Sequence, residues 1–183
     1  MINTSYKINT TLVLLIISIV TFFIGFLVGY NQNGSIKIYT STNYNMTVFN
    51  IFVNNIKIIT INILGGFTFS ALTTLHLLYN GIMIGYETKL ALIEDNLMTI
   101  LVLILPHGIF EVPAIIIAGA AGFKIPYEII RYLMGKKEQP LTKEDIKEYF
   151  KLALISIILI VIAAFVEAYV TPKIAEYFLS NLD

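Results

Sequence analysis

The sequence of 183 residues contains no cysteine. Disulfide frameworks, thiol catalysis and cysteine-ligated zinc are therefore excluded. Tryptophan is also absent, so an aromatic belt at a membrane interface must come from the 11 tyrosines and 12 phenylalanines. Charge is scarce: Asp, Glu, Lys and Arg make up 13% of the residues, which is about half the share found in an ordinary soluble domain.

Motifs for several common chemistries are missing as well. The chain has no HExxH pair of a zincin-type protease and no P-loop, and it has no GxSxG nucleophile elbow. Twelve basic residues balance twelve acidic ones, so no overall field attracts nucleic acid or an acidic partner. We therefore expect no nucleic-acid partner. Together, the missing motifs favour a protein that is not an enzyme.

Apolar residues dominate what is present. They make up 57% of the chain, and the mean hydropathy is +0.80. A soluble domain of this size would have to bury nearly all of that surface, whereas a bilayer covers it with lipid. We predict an all-α, polytopic transmembrane helix bundle that forms a single domain over residues 1–183. Its five spans are predicted at about 11–30, 58–75, 77–93, 97–123 and 152–170.

Sequence features within several of these spans predict how the helices are retained, packed or bent. The first is read as a retained anchor, because no cleavage-like site follows it. Two GxxxG pairs, Gly25/Gly29 in the first span and Gly81/Gly85 in the third, favour close helix packing. Pro106 and Pro113 predict that the fourth span is kinked, since each proline removes a backbone donor.

The distribution of basic residues predicts the orientation. Segment 124–151 holds seven of the twelve basic residues, and cytoplasmic loops carry the Lys and Arg excess. It is read as a solvated cytoplasmic hairpin, in which Pro140 and Thr142-x-x-Asp145 mark a turn and a helix start. The N-terminus is then cytoplasmic, the polar loop 31–50 and the C-terminus lie outside, and the hairpin is a candidate surface for a protein partner.

His107 and Glu111 form the centre of the polar residues within the spans. Ionisable groups there are costly, so each requires a partner or a water-lined cavity. The two residues are four apart, which puts their side chains on one face of a helix. An imidazole and a carboxylate can also ligate zinc, so His107 and Glu111 are candidate ligands for a divalent metal such as zinc. A third ligand is expected from Glu167 or His76.

The remaining members of the predicted polar centre leave alternatives open. Glu167 either pairs with Lys173 at the outer interface or faces the bundle beside Asn54 and Asn55. Asn80 is expected to hydrogen-bond across helices. The centre as a whole is read as hydrogen-bonded contacts that join helices, as an ion- or proton-coupled site, or as a metal site.

Several of these residues together resemble the stage II sporulation protein M family of integral membrane proteins. The resemblance covers roughly residues 50–172, and its most specific element is the string PHGIFEVPA at 106–114. The other matching segments are Asn54-Asn55, Asn80-Gly81 with Gly85, AGAAG at 118–122, and the run from Glu167 to Pro172. Membership implies a small multi-pass protein without established enzymatic activity. In endospore formers the named member helps to organise peptidoglycan-remodelling partners at the engulfing membrane.

The leading hypothesis is therefore a non-enzymatic membrane scaffold or accessory subunit in the cell membrane. Its partners would be the bilayer, further copies of the chain and a protein bound through 124–151. A homo-oligomer is expected because of the GxxxG pairs and the polar centre. The alternatives are a transporter or channel component coupled to ions or protons, and an intramembrane metal-binding protein.

Overall fold

Six α-helices make up most of the part of the chain that the structure describes. This computed structural model describes residues 9–32, 48–94, 102 and 104–179. The helices are α1 (Thr10–Tyr30), α2 (Val48–Leu64), α3 (Ala71–Glu94), α4 (Leu105–Leu133), α5 (Lys143–Phe165) and α6 (Thr171–Leu179). A 3₁₀ turn, Gly65–Thr68, follows α2, and a π-helical segment, Val166–Val170, joins α5 to α6. The described residues contain no strand, which confirms the all-α prediction.

Four stretches are long and apolar enough to cross a membrane, namely Thr10–Tyr30, Val48–Thr68, Leu105–Leu133 and Lys143–Phe178. Large apolar side chains on their surfaces are exposed, as shown on α1 by Ile16 at 50% and Phe23 at 54%. Such a face would be an aggregation liability in water but is covered by lipid in a bilayer. Helix α3 has the length but is less apolar than these four, so the count of five spans remains a prediction.

The predicted second span, 58–75, is not a single helix. Helix α2 ends at Leu64, and the chain turns through the 3₁₀ segment before α3 begins at Ala71. Phe69 and Ser70 have positive φ values of 50° and 66°, a conformation that terminates a helix. The Ser70 hydroxyl donates a hydrogen bond to the Gly122 carbonyl at 3.1 Å, which fixes this turn against α4.

Helices α1 and α3 pack closely through their glycine pairs. A Cβ atom on Gly25 would overlap the Leu78 carbonyl oxygen, and one on Gly81 would overlap the carbonyl oxygen of Phe22. Gly29 and Gly85 make the equivalent approaches one turn further along. Because each glycine faces the partner helix backbone, both GxxxG pairs are used within the chain, and they no longer argue for a homo-oligomer.

Helix α4 extends beyond the C-terminal end of the predicted fourth span, 97–123, to Leu133. It begins at Leu105, so Pro106 lies in the first turn, where a backbone N–H has no intrahelical acceptor in any case. Pro113 and Pro126 lie inside the helix, which continues through both. Residues 97–101 of the prediction fall outside the described part, and the predicted kink remains a prediction.

The middle of α4 is where the other helices approach it most closely. Every residue from Ala118 to Gly122 is buried. A Cβ on Gly119 would lie 3.1 Å from the Ser18 hydroxyl of α1, and Gly122 lies against Asn62 and Thr73. Two apolar clusters meet along this stretch. One consists of Phe22, Ile59, Leu77, Ala114, Ile115, Ala118 and Ile160, and the other of Leu14, Ala120, Ala121, Tyr149 and Leu152.

Segment 124–151 is largely helical, and its solvated character was predicted wrongly for its first residues. Helix α4 continues to Leu133, and Lys124 and Glu128 are each only 1% exposed. The predicted start of the next helix is confirmed, because Thr142 and Asp145 form a capping box at the beginning of α5.

Candidate metal centre

The start of α4 and the π-helical segment bring three ionisable side chains together. His107 and Glu111 lie one turn apart on α4, and Glu167 belongs to the π-helical segment. One potential ligand atom from each residue lies within 4.8 Å of the other two. These are three of the residues that the sequence analysis named as candidate ligands, and metal binding by them stays a prediction.

The π-helical segment positions Glu167 in this group. The Thr171 N–H donates to the Val166 carbonyl five residues earlier, which is the bond that defines a π turn. The extra residue changes the rotation of the helix relative to an α-helix, and the segment contacts α2, α4 and α5. Such turns are frequent at functional sites, and nothing in the apolar run around Glu167 indicates one.

Within the part of the chain that the structure describes, no hydrogen-bond or ion-pair partner balances the three side chains. The described residues provide no hydrogen bond or ion pair for Glu111 or Glu167. The Nδ1 atom of His107 is buried and has no hydrogen-bond partner in that same part of the chain. All three residues are only partly exposed. Two neighbouring carboxylates repel each other, and leaving such groups unpaired is costly.

A third carboxylate, that of Glu87 on α3, lies at the edge of this group. Glu87 acts electrostatically on Glu111, as Glu167 does, but its residue is exposed and it is not one of the three converging ligands. Its proximity to Glu111 depends on the tertiary approach of α3 to α4, for which the sequence carries no local signal.

The donor set of one imidazole and two carboxylates is suited to a divalent metal. Zinc binds histidine nitrogen and carboxylate oxygen at about 2.0–2.2 Å, so two ligand atoms on a tetrahedral ion are about 3.3–3.6 Å apart. The potential ligand atoms lie within 4.8 Å of one another, so metal binding would require side-chain rotations that bring them about 1 Å closer together. Three protein ligands would leave one position of a tetrahedral site open.

Other residues predicted for the polar centre lie elsewhere. Asn54 is exposed, whereas Asn55 is buried with its Nδ2 atom lacking a partner among the described residues. The Asn80 amide donates to the His76 carbonyl at 2.7 Å and lies 3.1 Å from Nδ1 of the same histidine, so these contacts are within α3 rather than across helices. His76 is not part of the converging group.

The chain matches a family model and is similar to two proteins of one organism. The family model described as Stage II sporulation protein M matches residues 11–172. The chain is 46% identical over 174 residues to the uncharacterized protein MJ0793 of Methanocaldococcus jannaschii, an alignment that covers 91% of this chain and 98% of that protein. The uncharacterized protein MJ0706 of the same organism is 34% identical over 100 residues, covering 52% of this chain and 46% of that protein. No solved structure matches the chain.

Proposed function

Because the chain belongs to the stage II sporulation protein M family, we propose that it is a multi-pass membrane scaffold stabilised by a bound divalent metal. In this proposal the N-terminus is cytoplasmic and the C-terminus lies outside, as the basic residues of 124–151 indicate. The metal, for which zinc is the first candidate, is held by His107, Glu111 and Glu167 and joins α4 to the end of α5. The role is structural and non-enzymatic.

One observation carries the proposal: three ligand groups from two helical elements converge within 4.8 Å, and none has a polar partner in the described residues. A hydrogen-bonded His–Glu contact, which would need no ion, finds no support in the described hydrogen bonds. A divalent cation would balance both carboxylates and use the imidazole nitrogen at once. This chemistry accounts for the group better than contacts between the side chains alone.

Metal analysis tests the proposal directly. Protein purified in detergent without chelators should hold about one metal ion per chain, and chelation should lower its melting temperature. Stabilisation of about 2.7 kcal/mol is expected when free metal is 100 times the dissociation constant, which corresponds to roughly 5–10 °C for a chain of this size. Zinc and manganese should both be added back, since imidazole and carboxylate ligands suit either ion.

The variants Glu111→Gln and Glu167→Gln should lose the metal and the response to chelator. Glu138→Gln, which changes an exposed glutamate in the α4–α5 connection, is the matched control and should retain both. Fewer than about 0.2 ions per wild-type chain, together with no stabilisation by added metal, would refute the proposal, because an intact site of this kind should be well filled.

A second candidate, a cation or proton path, is favoured by three further buried polar atoms. Ser18 Oγ, Asn55 Nδ2 and Asn62 Oδ1 have no hydrogen-bond partner among the described residues, and atoms of this kind commonly bind buried water. Ion and proton flux into liposomes containing the protein tests this role. Absence of flux for protons, monovalent ions and divalent ions would eliminate it.

A further inference from the structure

A buried ionic network joins α4 to α5 at the end of the bundle opposite the metal centre. Lys124 Nζ lies 3.1 Å from Glu128, 3.6 Å from Asp145 and also bonds Glu148. Its side chain is 1% exposed, as is that of Glu128. The buried lysine therefore neutralises carboxylates of both helices, of which Glu128 is buried and Glu148 is 40% exposed.

Two of these carboxylates, those of Glu128 and Asp145, also pair with further basic residues. Glu128 accepts from Arg131 at 3.1 Å and from Lys137 at 3.0 Å, and Lys137 also pairs with Asp145. Three acids, Glu128, Asp145 and Glu148, are thus matched by three bases, Lys124, Arg131 and Lys137. The start of α1 joins the network, because Lys124 donates to the Thr10 hydroxyl at 3.3 Å and the Thr11 hydroxyl donates to Glu148 at 2.7 Å.

An open cleft of about 610 Å³ lies beside this network. It is lined by Thr10, Glu128, Arg131, Lys137, Thr142, Glu144, Asp145, Lys147, Glu148 and Lys151. Lys147 and Lys151 form no ion pair with any described residue. Of the acids in the cleft, only Glu144 remains outside the internal network, so the unpaired lining charge is positive.

The two free lysines lie where α5 changes from charged to apolar. Lys151 directly precedes the apolar run that begins at Leu152, and Lys147 lies about 6 Å further from it along the helix. Phe150 and Leu154 continue the same helix face and are 63% and 59% exposed. A surface with ammonium groups at one end and exposed apolar side chains at the other has the polarity of a lipid at a membrane interface.

We propose that this cleft binds the phosphate headgroup of an anionic membrane lipid. Lys147 and Lys151 contact the phosphate, and Arg131, whose guanidinium uses one of its N–H groups on Glu128, supplies further donors. The acyl chains lie along Phe150 and Leu154, which distinguishes a lipid from free phosphate as the occupant. The proposal involves none of the residues of the metal centre and does not depend on it.

Binding of short-chain lipids to the detergent-purified full-length protein tests the proposal. Dioctanoyl phosphatidylglycerol should bind more tightly than dioctanoyl phosphatidylcholine. Lys147→Gln and Lys151→Gln should each weaken phosphatidylglycerol binding about fivefold, and the double variant roughly twenty-five-fold. The matched control is the double variant Lys136→Gln/Lys143→Gln, which removes the same charge from exposed lysines that do not line the cleft and should bind like the wild type.

Three results would overturn the proposal. Equal affinity for the two lipids would show that the cleft does not distinguish an anionic headgroup from a zwitterionic one. Equal losses in the cleft and control variants would indicate general surface attraction rather than a site. Inorganic phosphate that competes at a concentration similar to that of phosphatidylglycerol would identify free phosphate as the occupant. Melting temperatures of all variants should stay within about 2 °C of the wild type, because these lysines are exposed and unpaired.

Discussion

Adding one methyl group at the α1–α3 interface should separate the two helices. In Gly29→Ala the new Cβ would overlap the Ile82 carbonyl oxygen, and in Gly85→Ala it would overlap the carbonyl oxygen of Phe26. A flexible side chain could rotate away from such a clash, but here the obstructing atom is backbone in the partner helix. The strain can be relieved only by moving one helix away from the other.

The expected cost follows from two opposing effects. Overpacking of a well-packed contact typically costs 1–3 kcal/mol, and separation of the helices also weakens the neighbouring glycine contacts. Replacing a helical glycine by alanine by itself stabilises a helix by roughly 0.5–1 kcal/mol. Overpacking dominates, because the clash extends from one glycine to the next along the pair. We expect each variant to be destabilised by about 1–2 kcal/mol, a drop of roughly 2–8 °C in melting temperature.

Thermal unfolding in detergent, followed by circular dichroism, measures this effect. The control is Gly108→Ala in α4, where the one described atom that an added Cβ meets is in the Ile104 side chain, at 3.9 Å, so the melting temperature should be unchanged or slightly higher. Size-exclusion chromatography of the same samples should show no change in oligomeric state. If Gly29→Ala and Gly85→Ala melt at or above the wild-type temperature, or remain stable but dissociate an oligomer, the intramolecular assignment of the glycine pairs is wrong.

The ionic network supports two further predictions. Lys124→Met should destabilise the protein by about 3 kcal/mol, because it leaves the buried Glu128 with only part of its countercharge, whereas the exposed control Lys136→Met should melt within 2 °C of the wild type in the same assay. Asp145 precedes the apolar part of α5; burial opposes its ionisation, but hydrogen bonds from Lys137 and Thr142 outweigh this and lower its pKa to about 2. Since the unfolded pKa is about 3.9, the stability that Asp145 contributes is fully present above about pH 5 and should be lost as the pH falls from about 4 to about 2. Melting curves across this range should show the loss in the wild type, and a wild-type profile in Asp145→Asn would contradict the assignment.

Local patterns in the sequence were sufficient for several features. The spacing of His107 and Glu111 requires only that their segment be helical, and the capping box at Thr142 and Asp145 lies within four residues. The family resemblance, which rests on contiguous motifs, is confirmed by the family model over residues 11–172. The choice of Glu167 over His76 as the third member could not be made locally, because it depends on a π turn within an otherwise uniform apolar run.

Features that depend on contacts between distant segments were harder to predict. The run 58–75 is apolar enough to suggest one span, but the two glycines at its centre begin a turn that docks on Gly122 of α4. The basic and acidic residues of 124–151 suggested a solvated surface. Lys124 and Glu128 are four apart, and this spacing is the one local sign of their pairing. Their burial results from the approach of α5 and α1, which composition does not encode.

The two ends of the α4–α5 pair differ in how their charges are balanced, and this difference supports a cation at one end. At the end near Lys124, three basic side chains match three carboxylates, and the hairpin is held by the protein's own groups. About 20 Å away along α4, Glu111 and Glu167 face each other with no basic partner among the described residues. Burial of the first network is offset internally, whereas the second group has no countercharge within that part of the chain. The metal of the proposed function would supply this charge, and each end of the helix pair would then be held by electrostatic contacts.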